Sequence, residues 1–136
     1  MELYERLGKP GEFFLIAGPC VVEQLSVMEA VAAELVRIKE ETGVEVIFKA
    51  SYKKANRTSG ESYSGPGEEE GLKALERIGK GFSLPLLTDV HEQAEVSAAA
   101  QVCDILQIPA FLSRQTQLIQ TAAATGRIIN IKKGQF

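Results

Sequence analysis

The sequence predicts an α/β fold of right-handed parallel β-α-β units, and three observations carry that prediction. Short apolar runs alternate with stretches whose apolar residues recur at the helical period. Glycines stand where helices must stop. Polar residues capable of chemistry gather at or near the ends of the apolar runs, not evenly along the chain.

In chain order, residues 1–12 are polar, close on Gly8-Lys-Pro-Gly11 and read as a lead-in. Phe13-Phe-Leu-Ile-Ala17 is a continuous apolar run, stopped by Gly18-Pro19-Cys20, and reads as a strand buried on both faces. From Ser26 to Glu41 apolar residues recur at Val27, Ala30, Val31, Leu35 and Ile38, with Gly43 as the stop. A second strand, Val44–Phe48, leads into a basic stretch, and Glu68–Lys80 has helix-forming composition. A third strand over Leu84–Val90 precedes a helix from Gln93 to Gln101. A fourth over Asp104–Ala110 precedes a helix from Gln115 to Thr125. A fifth covers Arg127–Lys132.

Two architectures share this pattern, the open doubly wound sheet and the TIM (β/α)8 barrel. The open sheet is marked by a glycine-rich phosphate turn after its first strand, and Gly18-Pro-Cys20 has no Gly-x-Gly-x-x-Gly. The strand ends carry Cys20, Lys49, Asp89 with His91, Gln107 and Lys132, positions that converge on one mouth in a barrel. A barrel needs eight units and about 250 residues. The expectation is therefore one domain over residues 1–136, the N-terminal part of a TIM barrel truncated to five strands and four helices.

With 45% hydrophobic and 24% charged residues, the 136-residue chain can bury a core, and disorder is not indicated. A net charge of −3 argues against a nucleic-acid surface. No basic leader and no apolar run of membrane-spanning length is present, which places the chain in the cytoplasm, away from membranes. In that compartment Cys20 and Cys103 are not expected to pair. Cys103, just before the fourth strand, reads as a small core residue. Cys20, at the functional end of the first, reads as core filler, ligand or nucleophile.

The stretch Lys49–Gly67 stands out against the acidic background. Lys49, Lys53, Lys54 and Arg57 occur with Asn56, Thr58 and Ser59 in eleven residues, and Gly60, Gly65, Pro66 and Gly67 follow as turn formers. Lysines supply point charges, arginine a planar fork, and the hydroxyls and amide directed hydrogen bonds to phosphate or carboxylate oxygens. Lysines near strand ends point to an anion held between them, with neutralisation by Asp89, Glu45 or Asp104 as the alternative. His91, the only histidine, reads as a general acid or base, a ligand's neighbour, or a structural partner of Asp89. One cysteine and one histidine do not make a metal site.

Lys54-Ala-Asn-Arg-Thr-Ser59, Ser62-Tyr-Ser-Gly-Pro-Gly67, Thr88-Asp-Val-His-Glu92, Gln107-Ile-Pro-Ala-Phe-Leu112, Arg114-Gln-Thr116 and Asn130-Ile-Lys-Lys-Gly-Gln-Phe136 resemble successive motifs of the 3-deoxy-D-manno-octulosonate 8-phosphate synthases, also called 2-dehydro-3-deoxyphosphooctonate aldolases. The similarity runs from about Phe14 to the last residue and covers roughly the N-terminal half of a family member. Ala17-Gly-Pro-Cys20 is less specific, because the 3-deoxy-heptulosonate synthases share it.

The resemblance implies a β/α barrel, a homotetramer, and condensation of phosphoenolpyruvate with D-arabinose 5-phosphate and water on the route to a lipopolysaccharide sugar. It implies that Lys49, Lys54 and Lys132, with Gln107 and the backbone near Ala110, hold phosphoenolpyruvate. Asn56, Arg57, Thr58 and Ser59 would take the pentose phosphate, and Arg114 would reach that of a neighbouring subunit. Lys54, His91 and Asp89 are the expected catalytic residues. A cysteine after Gly-Pro marks the metal-dependent branch, so Cys20 is the expected ligand of a divalent ion of the zinc, iron or manganese class whose other ligands lie in the second half. Two departures bear on the pentose: Lys53 stands where the family usually has an acidic residue, and Ser64 where it often has a basic one. The alternatives are a heptulosonate-phosphate synthase using erythrose 4-phosphate and a non-catalytic anion-binding half-barrel.

Overall fold

A computed structural model of the chain describes residues 2–53 and 67–135. The elements, in order, are α1 (Leu3–Leu7), β1 (Phe14–Val21), α2 (Leu25–Thr42), β2 (Glu45–Ser51), α3 (Glu68–Phe82), β3 (Leu86–Asp89), α4 (Gln93–Val102), β4 (Ile105–Ile108), a 3-10 turn (Ala110–Leu112), α5 (Thr116–Ala123) and β5 (Ile128–Ile131). The five strands form one sheet in the order β1-β2-β3-β4-β5, and every pair is parallel. A doubly wound sheet reverses its strand order part-way, whereas a β/α barrel lays strands down consecutively. The fold is α/β, with five consecutive strands arranged as in a TIM barrel.

Strand alternation sorts the core into two layers. Val46, Phe48, Ala50, Leu86, Val90, Leu106 and Ile108 face outward. There they pack with Met28, Ala32 and Leu35 of α2, Leu72, Leu75 and Ile78 of α3, Val96 and Ala99 of α4, and Leu118 and Ala122 of α5. The opposite face carries Ile47, Leu87 and Ile105, flanked by Ile16 and Ile128. Helices α2 to α5 therefore lie on one side, which leaves the other as the barrel interior.

The start of the chain differs from the sequence expectation. Residues 3–7 form α1, and Leu3 and Leu7 pack onto the interior layer, closing its N-terminal end. Arg6 pairs with Glu45 at 3.2 Å and tethers α1 to the start of β2. Five residues with Glu5 and Arg6 between the leucines are too short for a helical period to register.

The first strand also differs. It continues through Gly18-Pro19-Cys20 to Val21, with a break in register between Ala17 and Cys20. Close approach explains the glycine: a Cβ at Gly18 would lie 1.7 Å from the Lys49 carbonyl oxygen. Cys20 takes a φ of 70° as the strand resumes its pairing. Nor is β1 buried on both faces, since it forms an edge of the sheet and Phe14 is exposed.

In α2 the buried stripe is Met28, Ala32 and Leu35, while Val27 and Ala30 face solvent. The helix has apolar residues on most sides, so its periodicity locates the stripe only to within a residue. Gly43 does end α2, at φ 72° with its amide donating to the Lys39 carbonyl at 2.9 Å. Among the described residues no helix is long and apolar enough to cross a membrane.

Gly18→Ala is expected to force β1 away from β2 and to cost about 3 kcal/mol, because the obstructing atom is backbone and cannot turn aside. A urea midpoint equal to that of the unaltered chain would refute the close approach.

Candidate active site

The polar residues at the strand ends form one hydrogen-bonded belt across the sheet. In the register of β3, β4 and β5, Asp89 lies beside Gln107 and Gln107 beside Asn130. Gln107 Nε2 donates to Asp89 Oδ1 at 2.5 Å, and Asn130 Nδ2 donates to Gln107 Oε1 at 2.8 Å. From the other side Ser51 Oγ donates to Asp89 Oδ2 at 2.6 Å. Lys49 Nζ lies 3.9 Å from the same oxygen and donates to the Cys20 carbonyl at 3.3 Å. Side chains from β2, β3, β4 and β5, and a carbonyl from β1, are thus joined through one carboxylate.

Above the belt is a cavity of about 290 Å³, lined by Cys20, Lys49, Ser51, Asp89, His91, Gln107, Pro109, Ala110, Phe111 and Lys132. Seven of the residues singled out in the sequence therefore meet in one place: Cys20, Lys49, Asp89, His91, Gln107, Ala110 and Lys132. Arg114 does not line this cavity; it is exposed, beyond the 3-10 turn. Lys54, Asn56, Arg57, Thr58, Ser59 and Ser64 lie outside the described residues.

The alternative of lysines neutralised by carboxylates can be weighed directly. Glu45 is taken by Arg6 and by Lys39 at 3.7 Å, and Asp104 accepts the Leu86 amide at 2.8 Å. Asp89 is shared among Ser51, Gln107 and Lys49. Among the described residues Lys132 makes no ion pair, so the cavity carries two ammonium groups and one carboxylate that already has partners. An anion is the complement of such a lining.

His91 is not the structural partner of Asp89. Its Nδ1 lies 3.8 Å from Glu95 Oε2 on α4. Glu95, itself buried, also accepts a hydrogen bond from the Tyr52 hydroxyl and takes Lys53 Nζ at 3.1 Å. Lys53 was expected to add charge to the basic stretch; instead it is paired with Glu95. Burial, and then the neighbouring Glu95, push the Tyr52 phenol well above its ordinary range, so it stays a donor.

Sequence reasoning missed Ser51 and Asn130 as members of the belt, and Tyr52 and Glu95 behind it. The signal was available for the first two, because Lys49 and Ser51, and Asn130 and Lys132, are two apart on a strand and share a face. For Glu95 there was none, since a glutamate in the first turn of a helix reads as solvated.

The cysteines separate as expected by position: Cys20 is exposed and Cys103 buried. Burial, with Asp104 adding to it, pushes the Cys103 thiol up to about 12. Cys20 lines the cavity as a single thiol, and among the described residues no three His, Cys, Asp or Glu side chains gather as a metal site would require.

Comparison with known proteins places these residues in context. Residues 4–136 match the DAHP synthetase I family. The chain is 54% identical over 129 residues to the 2-dehydro-3-deoxyphosphooctonate aldolase of Fusobacterium nucleatum, covering 95% of this chain and 46% of that protein. It is 57% identical over 122 residues to the protein of the same name from Wolinella succinogenes, covering 90% and 46%. With the Syntrophotalea carbinolica protein of that name it shares 53% over 122 residues, covering 90% and 44%. The chain thus spans a little under half the length of these curated relatives.

Two outcomes follow from the thiols. A disulfide reagent should label one cysteine rapidly in the folded chain, Cys20, and both after denaturation; fast labelling of both would contradict the burial of Cys103. Stability should also decline as pH rises. The Cys103 proton is held up to about 12 when folded but leaves near the ordinary 9.0 when unfolded. The contribution is therefore whole below about 9 and lost through about 12. Denaturation midpoints across that range test it, and Cys103→Ala should flatten the decline.

Proposed function

The chain belongs to the DAHP synthetase I family, and on that premise we propose that it carries the phosphoenolpyruvate side of the active site of a 2-dehydro-3-deoxyphosphooctonate aldolase. The reaction condenses phosphoenolpyruvate with D-arabinose 5-phosphate and water, giving 3-deoxy-D-manno-octulosonate 8-phosphate and inorganic phosphate. It serves lipopolysaccharide sugar biosynthesis in the cytoplasm. The names of the relatives support this aldose over erythrose 4-phosphate. The observation that carries the reading is the cavity in which Lys49 and Lys132 face one carboxylate already engaged by Ser51 and Gln107.

Both substrates are multiply charged anions, so bringing C3 of phosphoenolpyruvate against the aldehyde carbon requires cations to offset repulsion and fix orientation. An ammonium about 4 Å from a substrate oxygen contributes roughly 4 kcal/mol at an effective dielectric of about 20, before desolvation is subtracted. In this assignment Lys49, Lys132 and Lys54 hold the carboxylate and phosphate of phosphoenolpyruvate. Gln107 and the Ala110 backbone complete that subsite. Asp89 keeps Lys49 and Gln107 aimed into the cavity, and His91 stands beside the reacting centre. Water adds at C2, where positive charge develops, the new C–C bond forms from C3, and the C–O bond to phosphate then breaks. Asn56, Arg57, Thr58 and Ser59 take the pentose phosphate. Arg114, exposed at the rim, reaches that of a neighbouring subunit in a homotetramer.

Metal binding is a narrower matter. One thiol alone does not make a divalent-ion site, and among the described residues no three His, Cys, Asp or Glu side chains gather as one. The assignment to Cys20 is one thiolate donor, with the remaining ligands contributed from the length of the relatives that this chain does not span. No step is drawn through the ion.

Isothermal titration with phosphoenolpyruvate tests the reading on the 136-residue chain. Lys49→Ala and Lys132→Ala should each weaken binding about tenfold or more, the effect of deleting one charge-assisted contact. Equal affinity in both variants would sink the assignment. Because the relatives are more than twice as long, this chain alone is expected to bind without turnover. Phosphate release from phosphoenolpyruvate with either arabinose 5-phosphate or erythrose 4-phosphate would overturn that expectation and identify the aldose.

A further inference from the structure

Behind the cavity, Glu95 in the first turn of α4 is 4% exposed and has no part in the chemistry assigned above. Both its oxygens are fixed. Oε2 accepts from the Tyr52 hydroxyl, and Oε1 is 3.1 Å from Lys53 Nζ. Tyr52 cannot shift to follow the carboxylate, because it is fully buried and α3 presses on it: a Cβ at Gly71 would lie 2.5 Å from the Tyr52 Cβ. The place of the carboxylate is therefore imposed by packing.

His91 meets this carboxylate through Nδ1. Its Nδ1 is buried and makes no hydrogen bond among the described residues, and Glu95 Oε2 is 3.8 Å away. A carboxylate oxygen is an acceptor only. A bare Nδ1 lone pair would face it with repulsion unscreened by water, whereas a proton on Nδ1 would be attracted. With the Tyr52 proton already given to Oε2, no donor among the described residues satisfies an unprotonated Nδ1.

We propose that Glu95 is a positioning residue that holds neutral His91 in its Nδ1–H tautomer, so that the Nε2 lone pair is turned to the cavity that the ring lines. The chemical consequence is selective. Next to Lys49 and Lys132, which attract anionic oxygens, an Nε2 acceptor repels them and takes an O–H donor, either water or a substrate hydroxyl. Glu95 thereby separates the cavity into anion-holding and proton-accepting parts without touching a ligand. The same carboxylate, through Tyr52 and Lys53, anchors the residues that leave β2 for the basic stretch. The tautomer does not depend on which reaction the cavity performs.

His91 is the only histidine, so its imidazole gives a single set of signals. Long-range ¹H–¹⁵N correlation spectra of the ¹⁵N-labelled chain, at a pH where the ring is neutral, should show Nδ1 as the protonated nitrogen and Nε2 as the bare one. The reverse pattern would overturn the proposal. In Glu95→Gln the amide can donate to Nδ1 while its carbonyl keeps Lys53, and the tautomer should flip to Nε2–H. A folded variant with the original tautomer would equally refute the role of Glu95. Should Glu95→Gln fail to fold, the spectrum of the unaltered chain still decides.

Discussion

Asp89 is the point on which the site depends. Its two oxygens are taken from opposite sides, by Ser51 of β2 and by Gln107 of β4. That arrangement exists only because three parallel strands hold register at their C-terminal ends. A slip of one residue in any of them would turn the polar group to the outer, helix-covered face. There each would be a buried polar atom without a partner, at a cost of about 1–3 kcal/mol. The belt is therefore a reader of register as well as a support for Lys49. Satisfying it and packing Ile47, Leu87 and Ile105 beneath it demand the same strand alignment.

The two carboxylates close to the cavity divide the electrostatic work. Asp89 faces the interior and is itself part-exposed, so it orients Lys49 at 3.9 Å without cancelling it in a tight pair. Glu95 faces the helical layer, is buried, and takes Lys53 at 3.1 Å together with Tyr52. The outcome is that the adjacent lysines of β2 and its exit have different fates. Lys49 keeps its charge available to the cavity, while Lys53 spends its charge on a buried partner. A basic cluster read from sequence as one feature is two, divided by which carboxylate each lysine meets.

Much of the fold was legible because parallel strands covered on both faces announce themselves as apolar runs, and amphipathic helices by their period. The second to fifth strands and the four larger helices lie where those patterns put them, within a few residues at each end. What escaped has physical reasons. α1 is a single turn and a half, too short for periodicity. β1 looked finished at Gly18-Pro19 because both residues usually end strands. Here the glycine instead permits contact with the Lys49 backbone, and the strand resumes at Cys20. In the site, Lys49, Asp89, Gln107 and Lys132 were legible as polar residues in apolar company. Ser51 and Asn130 were hidden by small size and neutral chemistry, although strand alternation places them on the same face. Glu95 was invisible, since nothing local distinguishes a buried glutamate in a helical first turn from a solvated one.

β2 shows how one strand's alternation builds the whole arrangement. Ile47 enters the interior apolar layer, and two residues on Lys49 rises above it at the level of the belt. Two further, Ser51 reaches the Asp89 carboxylate at the mouth. The intervening residues Val46, Phe48 and Ala50 face the helices, and Tyr52 continues that outer series to end against Glu95. The inner series thus runs from hydrocarbon to ammonium to hydroxyl in two steps of about 6.6 Å, the two-residue repeat of a parallel strand. A lysine one step lower would be sealed among isoleucines beneath α1 without a partner. One step higher it would give up the Cys20 carbonyl and take the place from which Ser51 reaches Asp89. Lys49 occupies the level at which a cation is both supported from below and left free to meet an anion from above.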